Sequence, residues 1–305
     1  MRRLLICLAL VVYGALPMRA QDRAADVRTA FARAQHLRHG INASEWFAQS
    51  NDYSAARLSR YSDAADIALM AKLGFDHVRI SIDADALEHG PHNAEGLNAE
   101  FVAELDKTVD AVLADGMAVE IDLHPGSQFK QQLRAGDEGA SRMVALWRSL
   151  AAHYANRDPE RTFFEVLNEP EVQDRYRWKG ILERTAAAIR AVAPRHTIIA
   201  AGANWSDIPD LVSMQPLADG NVIYNFHFYE PHEFTHQGAG WGEWWWRYTH
   251  GITYPADESQ MSAILPQAPD AVSRYALKQY WLDHWDAHRM QLLMDEAAAW
   301  AKSNN

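Results

Sequence analysis

The sequence predicts an α/β chain, specifically a (β/α)8 barrel, incomplete, with about six strands present. Three observations lead there. Apolar runs of strand length alternate with helical periodicities along the chain, which means parallel strands joined by right-handed crossovers. No Gly-rich phosphate fingerprint follows the first run, which weakens an open nucleotide-binding sheet. Polar residues close several different runs: Arg79, His124, Asn168, Glu169, His227 and Tyr229. A closed barrel gathers such strand ends into one ring around one pocket, whereas an open sheet spreads them along a line.

The elements follow in order. "RHGINASEWF" (38–47) reads as the first strand. A helix over Asp63 to Leu73 is expected next, with Ser62 as its cap and Gly74 as its stop. "FDHVRISI" (75–82) is the second strand. Phe101, Leu105, Val109 and Val112 then share one helical face, begun by Asn98 and ended by Gly116. "MAVEIDLHP" (117–125) is the third strand, and Met143, Trp147, Leu150 and Tyr154 mark the helix after it. "RTFFEVLNEP" is the fourth strand, and Ile181, Thr185, Ile189 and Val192 mark a helix stopped by Pro194. "HTIIAAGANW" (196–205) and "NVIYNFHFYEP" (221–231) are the fifth and sixth strands. The stretch from His232 to Tyr280 is rich in Trp and Pro, shows no seventh strand, and reads as an irregular lid or binding loop. A last helix is expected from Asp286 to Trp300, with Ser303 to Asn305 as a turn.

Composition narrows the partners. With 305 residues and 48% hydrophobic content, the chain suits one large globular unit. The formal charge of −11 disfavours nucleic acid and anionic lipid, whose phosphates need clustered Lys and Arg. Residues 1–20 read as a secretory signal: Arg2 and Arg3, an apolar run from Leu4 to Leu16, and Ala20 before Gln21. Residues 21–305 would then be a secreted chain, extracellular or periplasmic, off the membrane after cleavage. The sole cysteine, Cys7, falls inside the leader, so the mature chain is expected to carry no disulfide and no Cys-bound metal. No metal or other cofactor is expected. His227, His232, His236 and His250 fit no helical ligand pair, because Pro231 breaks the segment.

"FFEVLNEP" (163–170) poses the chemical question, because a carboxylate at the tip of a buried strand needs a reason. Glu169 is the leading catalytic candidate. Burial among apolar neighbours disfavours its charged form and would raise its pKa, which suits a general acid. Asn168 can position Glu169 or contact a substrate hydroxyl, and Pro170 fixes the backbone after it. A capping or salt-bridged Glu in a strand-to-helix loop is the structural alternative. The 11 Trp residues fall mostly outside regular apolar periodicities, where they can stack on sugar faces or cap the core. Trp46, Trp205 and Trp241 are the expected substrate contacts.

"GINASEWF", "HVRISI", "IDLHP", "FEVLNEP" and "YNFHFYEPHEFTHQGAGW" occur in the order found in glycoside hydrolase family 5, the cellulase family, which the chain resembles over nearly all of its mature length. The "FTHQGAGW" stretch looks like bacterial endoglucanase-type members. The resemblance implies retaining hydrolysis of β-glycosidic bonds, with a polysaccharide or oligosaccharide as substrate and a monomeric enzyme. Glu169 would match the acid/base and Asn168 the contact to the hydroxyl beside the reacting carbon. Arg79 would hold the nucleophile, His124 and His227 would line the cleavage subsite, and Tyr229 would hydrogen-bond the nucleophile. In the family that nucleophile is a Glu ending the seventh strand. The sequence shows no such stretch, so the chain reads as a catalytic barrel lacking its C-terminal part, and it is expected to be inactive. Glu230 and Glu243 are the only nearby substitutes, and the family pattern assigns neither that role.

One other class and the choice of substrate stay open. A non-catalytic sugar-binding protein could use Trp205, Trp241 and Trp244 to Trp246 as a stacking platform. Within the family, β-1,4-glucan is the first substrate, with β-1,3-glucan, β-1,6-glucan and mannan behind it.

Overall fold

The computed structural model describes residues 20–304. The expected leader therefore lies outside the described residues, except for Ala20, which begins helix α1 (Ala20–Arg33). Six parallel strands follow in the order β1-β2-β3-β4-β5-β6. They are β1 (Gly40–Phe47), β2 (His77–Ile82), β3 (Ala118–Leu123), β4 (Thr162–Glu165), β5 (Thr197–Ala201) and β6 (Val222–Asn225). Each strand pairs with its sequence neighbour, and β1 and β6 are the two edges. This is the α/β class and the strand number expected from the alternation.

Helices connect the strands: α2 (Ala55–Tyr61) and α3 (Ala64–Lys72), α4 (Ala84–Glu88) and α5 (Ala99–Ala114), α6 (Ser127–Ala135) and α7 (Asp137–Tyr154), α8 (Arg175–Val192), and α9 (Ile208–Val212). Asn98 caps α5, and Gly116 leaves it at φ 81°, a left-handed turn that glycine adopts without steric cost. The cap of α3 differs from expectation. Asp63, not Ser62, accepts from the amides of Ala65 and Asp66, and Asp66 answers the Asp63 amide in a capping box. The carboxylate is better placed because Ser62 ends α2 instead.

Period-2 alternation assigns the two sheet faces. Val78, Ile80, Ile82, Val119, Ile121, Leu123, Phe164 and Ile198 pack against Leu105, Val109, Trp147, Leu150 and Ile189 of the helices in the main core. On the other face, Ala118, Phe163 and Ile199 form a small cluster with Leu37 and Ile223. Above that plug, toward the C-terminal strand ends, the inner face turns polar. Helix α1 buttresses the opposite end: buried Arg33 donates to Glu160, the Arg195 carbonyl and Thr197. Two indoles in the helix layer steady the site from behind. Trp147 of α7 donates to the Val166 carbonyl at 2.7 Å, and Trp178 of α8 to the Ala201 carbonyl at 2.9 Å.

The stretch after β6 holds no strand among the described residues, as expected, but it is more ordered than an irregular lid. It forms α10 (His232–Thr235), α11 (Met261–Ile264) and α12 (Ala271–Leu282) around its own core of Trp245, Trp246, Ile252, Leu277, Tyr280, Trp281 and Trp285. Most of the Trp residues read as loop residues are thus core. The last helix, α13 (Ala287–Asn304), runs through the expected turn at Ser303 and packs on α9, with Trp300 donating to the Met214 carbonyl. The extra turn survives because Asn304 bonds back to the Trp300 carbonyl.

The capping assignment is directly testable. Asp63→Ala should cost about 1 kcal/mol of unfolding free energy, whereas Ser62→Ala should stay within about 0.5 kcal/mol, as read by urea denaturation.

Candidate active site

The polar inner face is built by register. Arg79 of β2 lies beside Asn42 of β1 and Glu120 of β3, while Asp122 of β3 lies beside Glu165 of β4. In-register residues of parallel strands project to one face. Arg79 therefore meets carboxylates from two strands. Its Nε lies 2.5 Å and its Nη2 3.0 Å from the two Glu165 oxygens, and an Nη2 contact of 2.9 Å reaches Asp122. Arg79 also donates to the Asn42 side-chain oxygen and, at 3.1 Å, to the Asn168 side-chain oxygen. Burial pushes the guanidinium pKa down, but the charges of Asp122 and Glu165 outweigh it and hold Arg79 firmly protonated. Burial likewise pushes Glu165 up, and Arg79's charge and hydrogen bonds hold it well below the ordinary carboxylate range.

Sheet-like pairing persists past the strand ends and carries the chain to the mouth. Val166 N donates to Ile199 O, Asn168 N to Leu123 O, His124 N to Ile82 O, and His227 N to Ser206 O. Asn168 is buried, and the backbone then turns sharply: Glu169 sits at φ 45°, in the left-handed region that costs a non-glycine residue about 1 kcal/mol or more. The turn delivers the Glu169 carboxylate to His227, whose Nδ1 lies 2.8 Å from it. His124 is oriented the same way, with Nδ1 3.0 Å from Asp122. In both histidines the bond at Nδ1 leaves Nε2 for a ligand.

The structure thus brings Arg79, His124, Asn168, Glu169 and His227 together: His124, Asn168, Glu169 and His227 lie just past the C-terminal ends of β3, β4 and β6, whereas Arg79, expected to close its strand, sits in the middle of β2 and reaches the others through its long side chain. Tyr229 stands at the rim, half exposed, its ring centroid 6.4 Å from that of His227. Trp205 is also half exposed, with Lys130 Nζ 5.9 Å from its ring. Trp241 is 66% exposed and meets His236 edge-on. Trp46 is placed otherwise. It is only 4% exposed, and its indole donates to the Leu58 carbonyl, so its faces are packed in the core rather than open to a sugar. Glu230 is 3.1 Å from His232, and Glu243 is exposed in the stretch after β6.

The electrostatics of Glu169 correct one expectation. Burial does push its carboxyl up, but the hydrogen bond and charge of His227, with the charges of Lys130 and His124, outweigh burial and hold it below its ordinary value. Sequence reasoning also missed the acids behind the site: Glu165, Asp122 and Glu120, together with Asn225, which donates to Glu165 at 3.1 Å. A signal was present. "AVEIDL" carries two acids at period 2 and "TFFE" ends in one, inside strands that are otherwise largely apolar, which marks an inner polar face.

Glu169's ionised form therefore stabilises the fold above its unfolded pKa of about 4.3, and this contribution is lost as pH falls through the lower folded value. His227→Ala should move the Glu169 titration upward, seen by carboxyl-carbon NMR, and should lessen the loss of stability on acidification.

Comparison with known proteins identifies the family. The family model for cellulase (glycosyl hydrolase family 5) matches residues 39–304. Endoglucanase C of Acetivibrio thermocellus is 29% identical over 236 residues, covering 75% of this chain and 68% of that protein. Cellodextrinase A of Ruminococcus flavefaciens is 34% identical over 215 residues, covering 66% and 61%. Among solved structures, the endoglucanase Cel5A from Thermotoga maritima superposes with a TM-score of 0.63 at 27% identity, covering 83% of this chain and 77% of its own. The chain belongs to glycosyl hydrolase family 5, the cellulases, and is by family a glycosyl hydrolase with a polysaccharide substrate.

Proposed function

We propose that the site binds a β-linked glucan, first of all β-1,4-glucan, with Glu169 as the acid/base group of a retaining hydrolase. The observation that carries this reading is the placement of Glu169 at the mouth, against His227 and next to the Asn168 that Arg79 holds. His124 and His227 present ring nitrogens to the sugar, and Asn168 presents its amide to a ring hydroxyl. Trp205 and Trp241 offer open ring faces where sugars can stack.

Retaining hydrolysis needs two carboxylates about 5–5.5 Å apart, one giving a proton and one attacking carbon. The described acids around Glu169 do not supply the second one: Glu165 and Asp122 are 1% and 0% exposed, behind the mouth where a sugar carbon does not reach, and each of the acids near Glu169 is tied to its own partners. Glu165 is held by Arg79 and Asn225, and Asp122 by Arg79 and His124. Glu171 is held by Lys130 and Arg134, and Glu230 by His232. Glu169 itself is surrounded by groups that keep it ionised, and an ionised carboxyl cannot protonate a leaving oxygen at neutral pH. A second carboxylate facing it would reverse that balance, since like charge raises a neighbouring pKa. We therefore read residues 21–305 as a glucan-binding chain that does not turn its ligand over. The leader composition supports a secreted protein, for which mass spectrometry of the exported chain should show Gln21 at its start.

Calorimetry and product analysis test this together. Residues 21–305 should bind cellotetraose, and Glu169→Gln should bind it comparably, with no shorter sugars released by either. Sugar release by the unsubstituted chain would overturn the inactive assignment. In that case Glu169→Gln should still slow release by about 10²–10⁴-fold. Absence of binding by both proteins would overturn the glucan assignment.

A further inference from the structure

The inner face of the sheet buries more acid than the guanidinium reaching it can neutralise. Glu120, Asp122 and Glu165 are 6%, 0% and 1% exposed, on two adjacent strands. Arg79 reaches two of them, Asp122 and Glu165. Asp122 has His124 as a second partner, and Glu165 has Asn225. Glu120 has no ion pair among the described residues. The charged groups that face it are Arg79, its register partner on β2, Asp122 two residues on along its own strand, and Glu165 on β4, two residues beyond its register partner Phe163 and on the same face, which sets the two carboxyls toward each other.

Two ionised carboxylates cannot stay in contact out of water, because both their repulsion and their desolvation are unfavourable. One proton between them removes the excess charge and turns the contact into a short O–H···O⁻ bond, among the stronger hydrogen bonds in proteins. The partners decide which oxygen keeps it. Both Glu165 oxygens already accept from cationic or amide N–H donors, so Glu165 is the acceptor and Glu120 the donor.

We propose that Glu120 is a positioning residue: it stays protonated and donates to Glu165, locking the Glu165 carboxylate, and through it Arg79, in the orientation that sets the Asn168 amide. The direction of that amide follows from the chain of donors. Arg79 can only donate, so the Asn168 atom facing it is the oxygen. Its NH₂ is thereby left to donate toward a ligand hydroxyl. Glu120 acts on a sugar only through Glu165, Arg79 and Asn168, so its importance comes from orientation rather than contact. The assignment of Asn168 to a sugar hydroxyl rests on the glucan reading, whereas the proton on Glu120 does not.

The experiment separates the two. Infrared difference spectra of residues 21–305 minus Glu120→Gln, at neutral pH, should show the carbonyl band of one protonated carboxylic acid. The Arg79 Nε–H resonance should keep its shift in Glu120→Gln, which retains a donor of the same shape, and should move in Glu120→Ala. Cellotetraose affinity should fall about tenfold in Glu120→Ala, the equivalent of one hydrogen bond that fixes Glu165 and Arg79, and Glu120→Gln should restore most of it. Absence of the carboxylic acid band overturns the proposal, as does a Glu120→Gln variant that moves Arg79 as far as Glu120→Ala does. If the unsubstituted chain binds no cellotetraose, the glucan reading fails, while the band and the Arg79 resonance still decide the pair.

Discussion

The guanidinium of Arg79 lies largely out of water between carboxylates from β3 and β4, and the rest of the site is arranged around that ion cluster. Taking such charges out of water costs several kcal/mol per ion, and their attraction offsets this only when geometry is good and remaining donors are used. Both conditions are met here. Arg79 contacts both Glu165 oxygens, and its other donors reach Asp122, Asn42 and Asn168. Parallel register does the placing, because strand pairing alone sets Arg79 beside Glu120 and Asp122 beside Glu165.

From that cluster the order spreads outward in short steps. Asn168 is held by Arg79 through its side chain and by Leu123 through its amide. The next residue is Glu169, whose left-handed backbone is sustained by the fixed segments on either side: the Trp147 bond to Val166, and the Glu171 amide on Asn204. His227 then closes on the carboxylate from β6. The strained turn and the charge environment belong together, since both put an ionised carboxylate at the mouth of the sheet.

Much of this was legible in the sequence, for physical reasons. The strands of the helix-backed sheet are nearly continuous apolar runs, and the residues following them are polar, so both the α/β class and the grouping of His124, Asn168, Glu169 and His227 could be read directly, while Arg79 joins them from the middle of β2 rather than from its end. The resemblance to the cellulase family supplied the roles. What could not be read depends on tertiary placement. Trp46 stands among the expected sugar contacts, and only its burial and its bond to the Leu58 carbonyl show it turned inward. The pKa direction of Glu169 depends on which cations fold against it, which one dimension does not give. Asp63 won the cap of α3 from Ser62 because the α2 helix ends at that serine. The core after β6 draws on residues from Trp245 to Trp285, a span too irregular for periodicity to reveal.

The direct test of this account is a double-mutant cycle on the Arg79–Glu165 pair, measured by denaturant unfolding of Arg79→Met, Glu165→Leu and the double variant. If the buried pair organises the site, each single change should cost about 3–5 kcal/mol by taking from its buried partner the counter-ion that meets it with two bonds, and the double variant should recover part of that loss. Additive losses in the double variant would contradict it, because they would mean that the two side chains do not depend on each other.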